Sequence, residues 1–285
     1  MFNHLEQKQV LLSDCGDVTF AIFFKSYNIY SNRLKMRGNI ELLENITDLS
    51  TDEEFFQIMK KQFVKVTKKF RYKYKVLYKN IFYIKDSPSE HNWRKTVYDD
   101  YKTNRKNTKY KKRSFNLGNV FKRVYAEIYP ELKKTFDINI IQINNAEADD
   151  TISVMTRLIP SSISVYIISS DTDYLQLLNR RNTFIYSLNG IFINNKLNGK
   201  TAEEKLLHKI ICGDKTDNIP PCIPNNKLAN YYLENLEELW EYLNNDNELL
   251  EKFNRNRTLI DFNYIPDSIK NDIIKSCNHK IIKCI

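Results

Sequence analysis

Four short apolar runs in this chain each stop at a carboxylate, and segments of helical period separate them. Gln9 to Ser13 (Q-V-L-L-S) leads to Asp14, and Asn80 to Lys85 (N-I-F-Y-I-K) leads to Asp86. Ile138 to Ile143 runs toward Glu147, Asp149 and Asp150, and Ile163 to Ile168 toward Asp171 and Asp173. Between them, Phe55, Met59, Phe63, Val66 and Phe70 recur at helical spacing behind Thr51 and Glu54, which read as a capping box. Leu117, Val120, Val124, Ile128 and Leu132 make a second stripe within Phe115 to Phe136; Ile152, Met155 and Leu158 make a third, ended near Pro160. Strand alternating with helix predicts an α/β fold with a central, mostly parallel sheet flanked by helices. Right-handed crossovers bring the strand ends to one edge, where open α/β sheets bind ligands. The spacing therefore predicts one acidic bowl assembled from distant parts of the chain.

Such a bowl repels itself. Neighbouring carboxylates raise one another's pKa unless a cation sits among them. Oxygen-only ligands suit a hard ion such as Mg²⁺ or Mn²⁺ and not zinc. Each cluster alone has an ordinary reading, as a helix cap or a loop between elements, so only their convergence selects the metal. His4, His91, His208 and His279 are scattered, and Cys15, Cys212, Cys222, Cys277 and Cys284 form no C-x-x-C pair, so no zinc site is expected. Five cysteines also argue against a complete disulfide framework. No apolar run approaches the roughly 18 to 20 residues of a membrane span, and the first residues lack a signal-peptide core. A soluble, intracellular, monomeric protein without a membrane partner is expected.

The net charge of +9 requires a basic surface beside the acidic bowl, a combination that suits a polyanion held over a metal. Its source is Asn92 to Arg113: between Lys102 and Arg113, seven of twelve residues are basic and none is acidic. Trp93, Tyr98, Tyr101 and Tyr110 are interleaved nearby, so phosphates and unpaired bases both have partners. A solvated basic loop is the plain alternative. Beyond the sheet, Asn189-Gly190 predicts a hairpin joining Phe184 to Tyr186 with Ile191 to Asn194. Thr201 and Glu204 open a helix that stops at Gly213, where I-C-G-D-K-T-D-N-I-P adds Asp214 and Asp217. An acidic helix follows over Leu233 to Leu243. The break near residues 195–200 divides a domain of residues 1–198 from a smaller helical region, 199–285.

In this order the motifs resemble the 5′ nuclease (flap endonuclease) family, in its phage-type branch. The carriers are L-L-S-D at 11–14, W-R-K-T-V-Y-D-D-Y-K-T-N-R at 93–105, E-A-D-D at 147–150, S-S-D-T-D-Y-L-Q-L-L at 169–178, G-D-K-T-D-N at 213–218 and L-I-D-F-N-Y-I-P-D at 259–267. The resemblance spans nearly the whole chain and implies a PIN-like 5′ nuclease fold. It implies that Asp14, Asp86, Glu147, Asp149, Asp150, Asp171, Asp173, Asp214 and Asp217 hold two Mg²⁺ ions, with Mn²⁺ as a substitute and Asp14, Asp86, Asp150 and Asp171 central to catalysis. Arg94, Tyr101, Lys102 and Arg105 match the arch that passes a free 5′ end. Lys102 and Arg105 would polarise the scissile phosphate, and Lys95, Lys106, Lys109, Lys111, Lys112 and Arg113 would extend the nucleic-acid surface. The implied substrates are 5′-flapped duplex and RNA–DNA hybrid, including replication primers, and implied partners are a single-stranded-DNA-binding protein or a sliding clamp. The 199–285 region would grip duplex, although Pro221 to Asn226 (P-C-I-P-N-N) lacks the glycines of cellular relatives, and Ser13 and Cys15 flank Asp14 unusually. Two rivals remain. A PIN-type ribonuclease for single-stranded RNA would need no long basic segment, and a non-catalytic binding module would have shed acids.

Overall fold

The computed structural model describes residues 8–39, 41, 48–104 and 116–283. Within them, β1 (Gln9–Asp14), β2 (Ile81–Lys85), β3 (Asn139–Gln142), β4 (Ser164–Ile168) and β5 (Thr183–Tyr186) form one sheet in the order β3-β2-β1-β4-β5, every pair parallel. The winding reverses between β1 and β4, which opens a crevice at their carboxyl ends. β1 is the central strand. Val10, Leu11 and Leu12 are all buried, because both faces of the sheet are covered and a continuous apolar run replaces alternation.

Residue parity assigns the two faces. Val10, Leu12, Phe82, Ile84, Val165 and Ile167 pack with α6 (Ala148–Leu158) and with α11 (Asp267–Ile282). Leu11, Ile81, Tyr83 and Ile168 face α1 (Cys15–Met36), α2 (Glu53–Lys73), α4 (Leu117–Arg123) and α5 (Tyr129–Phe136). A π turn, Val124–Ile128, joins α4 to α5, so the predicted single helix is not uniform. α2 begins one residue later than the capping box implied: Asp52, not Thr51, accepts the Phe55 amide at 2.8 Å. The carboxylate of Asp52 is the stronger acceptor for a helix N-terminus.

α7 (Ala202–Cys212), α8 (Asn226–Glu234), α9 (Leu236–Asn244) and α10 (Asn247–Ile260) surround Ile211, Leu239, Leu243 and Phe253. The Thr201–Glu204 capping box is present in both directions. The predicted hairpin is reduced to a bridge between Tyr186 and Phe192, followed by a 3₁₀ turn, Ile193–Leu197. The acidic segment is two helices, α8 and α9, divided at Asn235. α11 does not join this group. Its Ile269, Ile273, Cys277 and Ile281 return to the sheet. Among the described residues no helix is long and apolar enough to cross a membrane.

Candidate active site

Asp14 ends β1 and caps α1, accepting the amides of Gly16 at 2.8 Å and Asp17 at 3.2 Å. Gly16 allows a second carboxylate to come near: a Cβ there would lie 3.2 Å from one Asp14 oxygen and 3.7 Å from Asp86. Asp86, after β2, accepts the Ala148 amide at 2.8 Å, so the first turn of α6 fixes its direction. From β4, Asp171 accepts the Asp173 amide at 2.9 Å and caps the 3₁₀ helix Thr172–Asn179. Asp17 takes bonds from the Ser169 hydroxyl and, at 2.9 Å, the Ser170 amide, which ties the start of α1 to the end of β4.

Tyr174 stands at the centre. Its hydroxyl donates to Asp14 at 3.1 Å, and burial together with Asp14, Asp149 and Asp171 pushes its pKa well up. Burial and the nearby Asp86 and Asp17 also raise Asp14 well above the carboxylate range. Asp171 is pushed up to about 6, first by loss of solvent and then by Asp173. These directions reflect burial first and the neighbouring carboxylates second.

The opposite wall is cationic. α3 (Arg94–Val97) places the Arg94 guanidinium against Asp150 in a bidentate pair of 2.8 and 3.0 Å. The same group reaches Glu147 at 3.1 Å and the Leu259 carbonyl at 2.8 Å. Asp150 also accepts the Trp93 indole at 2.9 Å and the Glu147 amide at 3.0 Å, and it is 0% exposed. Its oxygens are committed to protein donors. Asp149 instead lines the cleft with Asp173, Asp214 and Asp217, and burial raises its pKa against the pull of Arg94.

Two ammonium groups bridge the carboxylates of this cleft. Lys102 pairs with Glu147 and lies 3.6 Å from Asp217, while Tyr101 donates to Glu147 at 2.8 Å and to Asp217 at 3.1 Å. Burial opposes ionisation of Glu147, but Lys102 and Arg94 outweigh it and hold its carboxyl at about 2. Lys209, on α7, pairs with Asp173 and with Asp214 at 2.7 Å. The loop carrying Asp214 and Asp217 closes through mutual amide bonds between Asp214 and Ile219. It needs Gly213: φ is +69°, and a Cβ would meet the Ile219 carbonyl at 2.3 Å.

The predicted acids thus gather in two facing groups, with Asp150 withdrawn behind them. Among the described residues no three acidic, histidine or cysteine side chains stand close enough to hold an ion as they are. Arg94 and Tyr101, expected on a nucleic-acid surface, are each 2% exposed, and Trp93 is buried too. Those rings and that guanidinium face inward. Lys95 is half-buried at the surface, and Arg105, Lys106, Lys109, Lys111, Lys112 and Arg113 lie outside the described residues. Sequence reasoning missed Asp17, Tyr174 and Lys209. Asp17 and Tyr174 each sit three residues from a predicted acid, a spacing that would have marked them.

Fold and site together define a class: an α/β protein with an all-oxygen bowl at the switch point of its sheet. A sequence profile described as the 5′-3′ exonuclease N-terminal resolvase-like domain matches residues 45–210, and the chain belongs to this family. Ribonuclease H of Enterobacteria phage T4 is 27% identical over 172 residues, 53% of this chain and 55% of that protein. A 5′-3′ exonuclease of Buchnera aphidicola subsp. Schizaphis graminum is 31% identical over 131 residues, 44% and 46% of the two chains. The matched stretches span about half the length of these curated relatives. The fold resembles the T5 D15 protein co-crystallised with metal ions, with a TM-score of 0.68, 16% identity and coverage of 97% of this chain and 99% of that one, and the T5 5′-exonuclease with bound zinc, with a TM-score of 0.66 at 15% identity. A T5 flap endonuclease complex with DNA and metal ions has a TM-score of 0.65 at 14% identity.

Proposed function

We propose that this chain is a structure-specific 5′ nuclease that hydrolyses phosphodiesters in 5′-flapped duplex and in RNA–DNA hybrid, including replication primers. The observation that carries this is the convergence of carboxylates at the strand ends, Asp14 under the Tyr174 hydroxyl and Asp149, Asp173, Asp214 and Asp217 lining one cleft, with Lys102 paired to Glu147. The donor set fits two hard divalent ions. It is all carboxylate, and Lys102 and Lys209 already bridge its pairs as cations.

Asp14, Asp86 and Asp171 on one side, and Glu147, Asp149, Asp173, Asp214 and Asp217 on the other, would hold Mg²⁺, or Mn²⁺ in its place. When bound, the ions would supply a low-pKa water and stabilise charge on the phosphate and leaving oxygen. The protein's share is placement. Arg94 and Asp150 orient Glu147, Tyr174 orients Asp14, and Asp17 holds the Asp171 turn. Lys102, once freed from Glu147 and Asp217, carries its charge to the scissile phosphate, and Arg105 assists by family resemblance. Residues 1–198 serve as the nuclease domain, and the helical part of 199–285 receives the duplex. The DNA-bound state of the T5 relative supports a nucleic-acid substrate. A single-stranded-DNA-binding protein or a sliding clamp is the partner in replication.

Cleavage of a 5′-labelled flap duplex and of an RNA–DNA hybrid, each with Mg²⁺ and with EDTA, tests the proposal. Metal-dependent release of short 5′ products is expected. Cleavage of single-stranded RNA in preference to both would favour the PIN-type ribonuclease instead.

A further inference from the structure

A groove of about 250 Å³ opens beside the bowl, between the Thr172–Asn179 turn and α7. Leu175, Leu206 and Cys212 line it, and Lys196, Lys205 and Lys209 supply its charge, with Asp173 where it meets the bowl. Lys196 is not loose: its ammonium donates to the Ser170 carbonyl at 2.8 Å, one residue before Asp171. His208 also lines the groove beside Lys205. Among the described residues no carboxylate forms an ion pair with Lys196, Lys200 or Lys205. Lys196 and Lys205, without ion-pair partners beside a half-apolar groove, favour an anion that also has a flat apolar part. At about 250 Å³ the groove lies just below the roughly 300 to 1,000 Å³ of a small-molecule pocket, so it takes a single base with the phosphates at its open rim.

We propose that this groove is a second nucleic-acid subsite, which takes an unpaired nucleotide of the substrate next to the cleavage point. Lys196 and Lys205 contact the backbone phosphates, and the base lies against Leu206 and Cys212. The inference rests on the nuclease reading and extends it from the scissile phosphate to its neighbour. It also gives Lys209 two neighbours of opposite kind, the acidic bowl and the basic groove.

Cys212 is a built-in reporter: Cys15, Cys222 and Cys277 are buried, and peptide mapping separates Cys212 from Cys284. In the full-length protein, N-ethylmaleimide labelling of Cys212 is followed by peptide mass mapping in EDTA, alone, with a 5′-flap duplex and with dAMP. The flap duplex is expected to slow labelling about five-fold or more at saturation, and dAMP to leave it nearly unchanged. Lys205→Ala and Lys196→Ala should each raise the flap dissociation constant several-fold, and each should reduce the slope of log K against log salt by about one. No side-chain bond of Lys205 is lost in that variant, and Lys205→Glu should weaken binding further. The proposal is overturned if the flap binds and is cleaved while Cys212 labelling and both variants' affinities stay as in the wild type; the nuclease reading then stands. Equal protection by dAMP would reassign the groove to free nucleotide, and a wild-type protein that neither binds nor cuts the flap would sink both readings.

Discussion

Replacing Arg94 by methionine separates its structural work from its charge. The side chain is 2% exposed and gives two bonds to Asp150, one to Glu147 and one to the Leu259 carbonyl. Methionine fills a similar volume but leaves Asp150 buried with only Trp93 and the Glu147 amide as donors. Removing one partner of a buried ion pair costs about 3–5 kcal/mol, and an orphaned carbonyl adds about 1–3 kcal/mol where water cannot reach it. A total near 5 kcal/mol is a large share of the roughly 5–15 kcal/mol that holds a typical domain together. At about 2–4 °C per kcal/mol, the melting temperature should fall by roughly 10–20 °C. The assay is thermal and urea unfolding in EDTA, followed by circular dichroism. Arg94→Met with Asp150→Asn should recover half or more of the loss, because the amide needs no counter-charge. A loss below about 1 kcal/mol in the single variant, or no recovery in the double, would show that Asp150 is not held as described.

Asp171→Asn should abolish flap cleavage and leave flap binding within a few-fold; retained cleavage would remove Asp171 from the metal set. Lys102→Met should tighten Ca²⁺ or Mg²⁺ binding by about tenfold in calorimetry, since roughly 1.4 kcal/mol of competing charge-assisted bonding is lost, while cleavage falls. Unchanged affinity would refute the view that this ammonium stands in for an ion. In EDTA, Asp171 at about 6 binds its proton more tightly folded than unfolded, as Asp14 and Asp149 do. Stability from these groups is present at low pH and is lost as pH rises through 6. Glu147 acts oppositely, contributing above its unfolded value near 4.5 and losing that as pH falls toward 2. The metal-free protein should therefore melt higher near pH 5.5 than near pH 7.5, and Mg²⁺ should erase the difference; a flat profile would contradict the crowding of the bowl.

The sheet was legible because its signal is local: an apolar run, then an acid, repeated. The strand ends agree with that reading to within a residue or two. The helix start at Asp52 and the reduced hairpin at Tyr186 differ because neighbouring caps and turns compete within a few tenths of a kcal/mol. The two faces of the site were less legible. Asp149 and Asp150 are adjacent and chemically alike, and only the position of Arg94, 56 residues from Asp150, decides which one turns to the cleft. Composition made Trp93, Arg94 and Tyr101 look like surface contacts, since aromatic and basic residues serve both a buried anchor and a nucleic-acid face. Lys209 was hidden because it lies on α7 among apolar residues, with no motif of its own.

The return of α11 to the sheet has a mechanical meaning. The four helices from Ala202 to Ile260 are leashed at both ends to one rigid slab, at Thr201 and again at Phe262. A module fixed at both ends should resist swinging away from the sheet, so any opening is expected to be a small rocking motion about those two anchors. Truncating the chain after Ile260 would remove the latch, taking Phe262, Ile265, Ile269, Ile273 and Ile281 with it, and would bare the greasy underside of the slab that they cover.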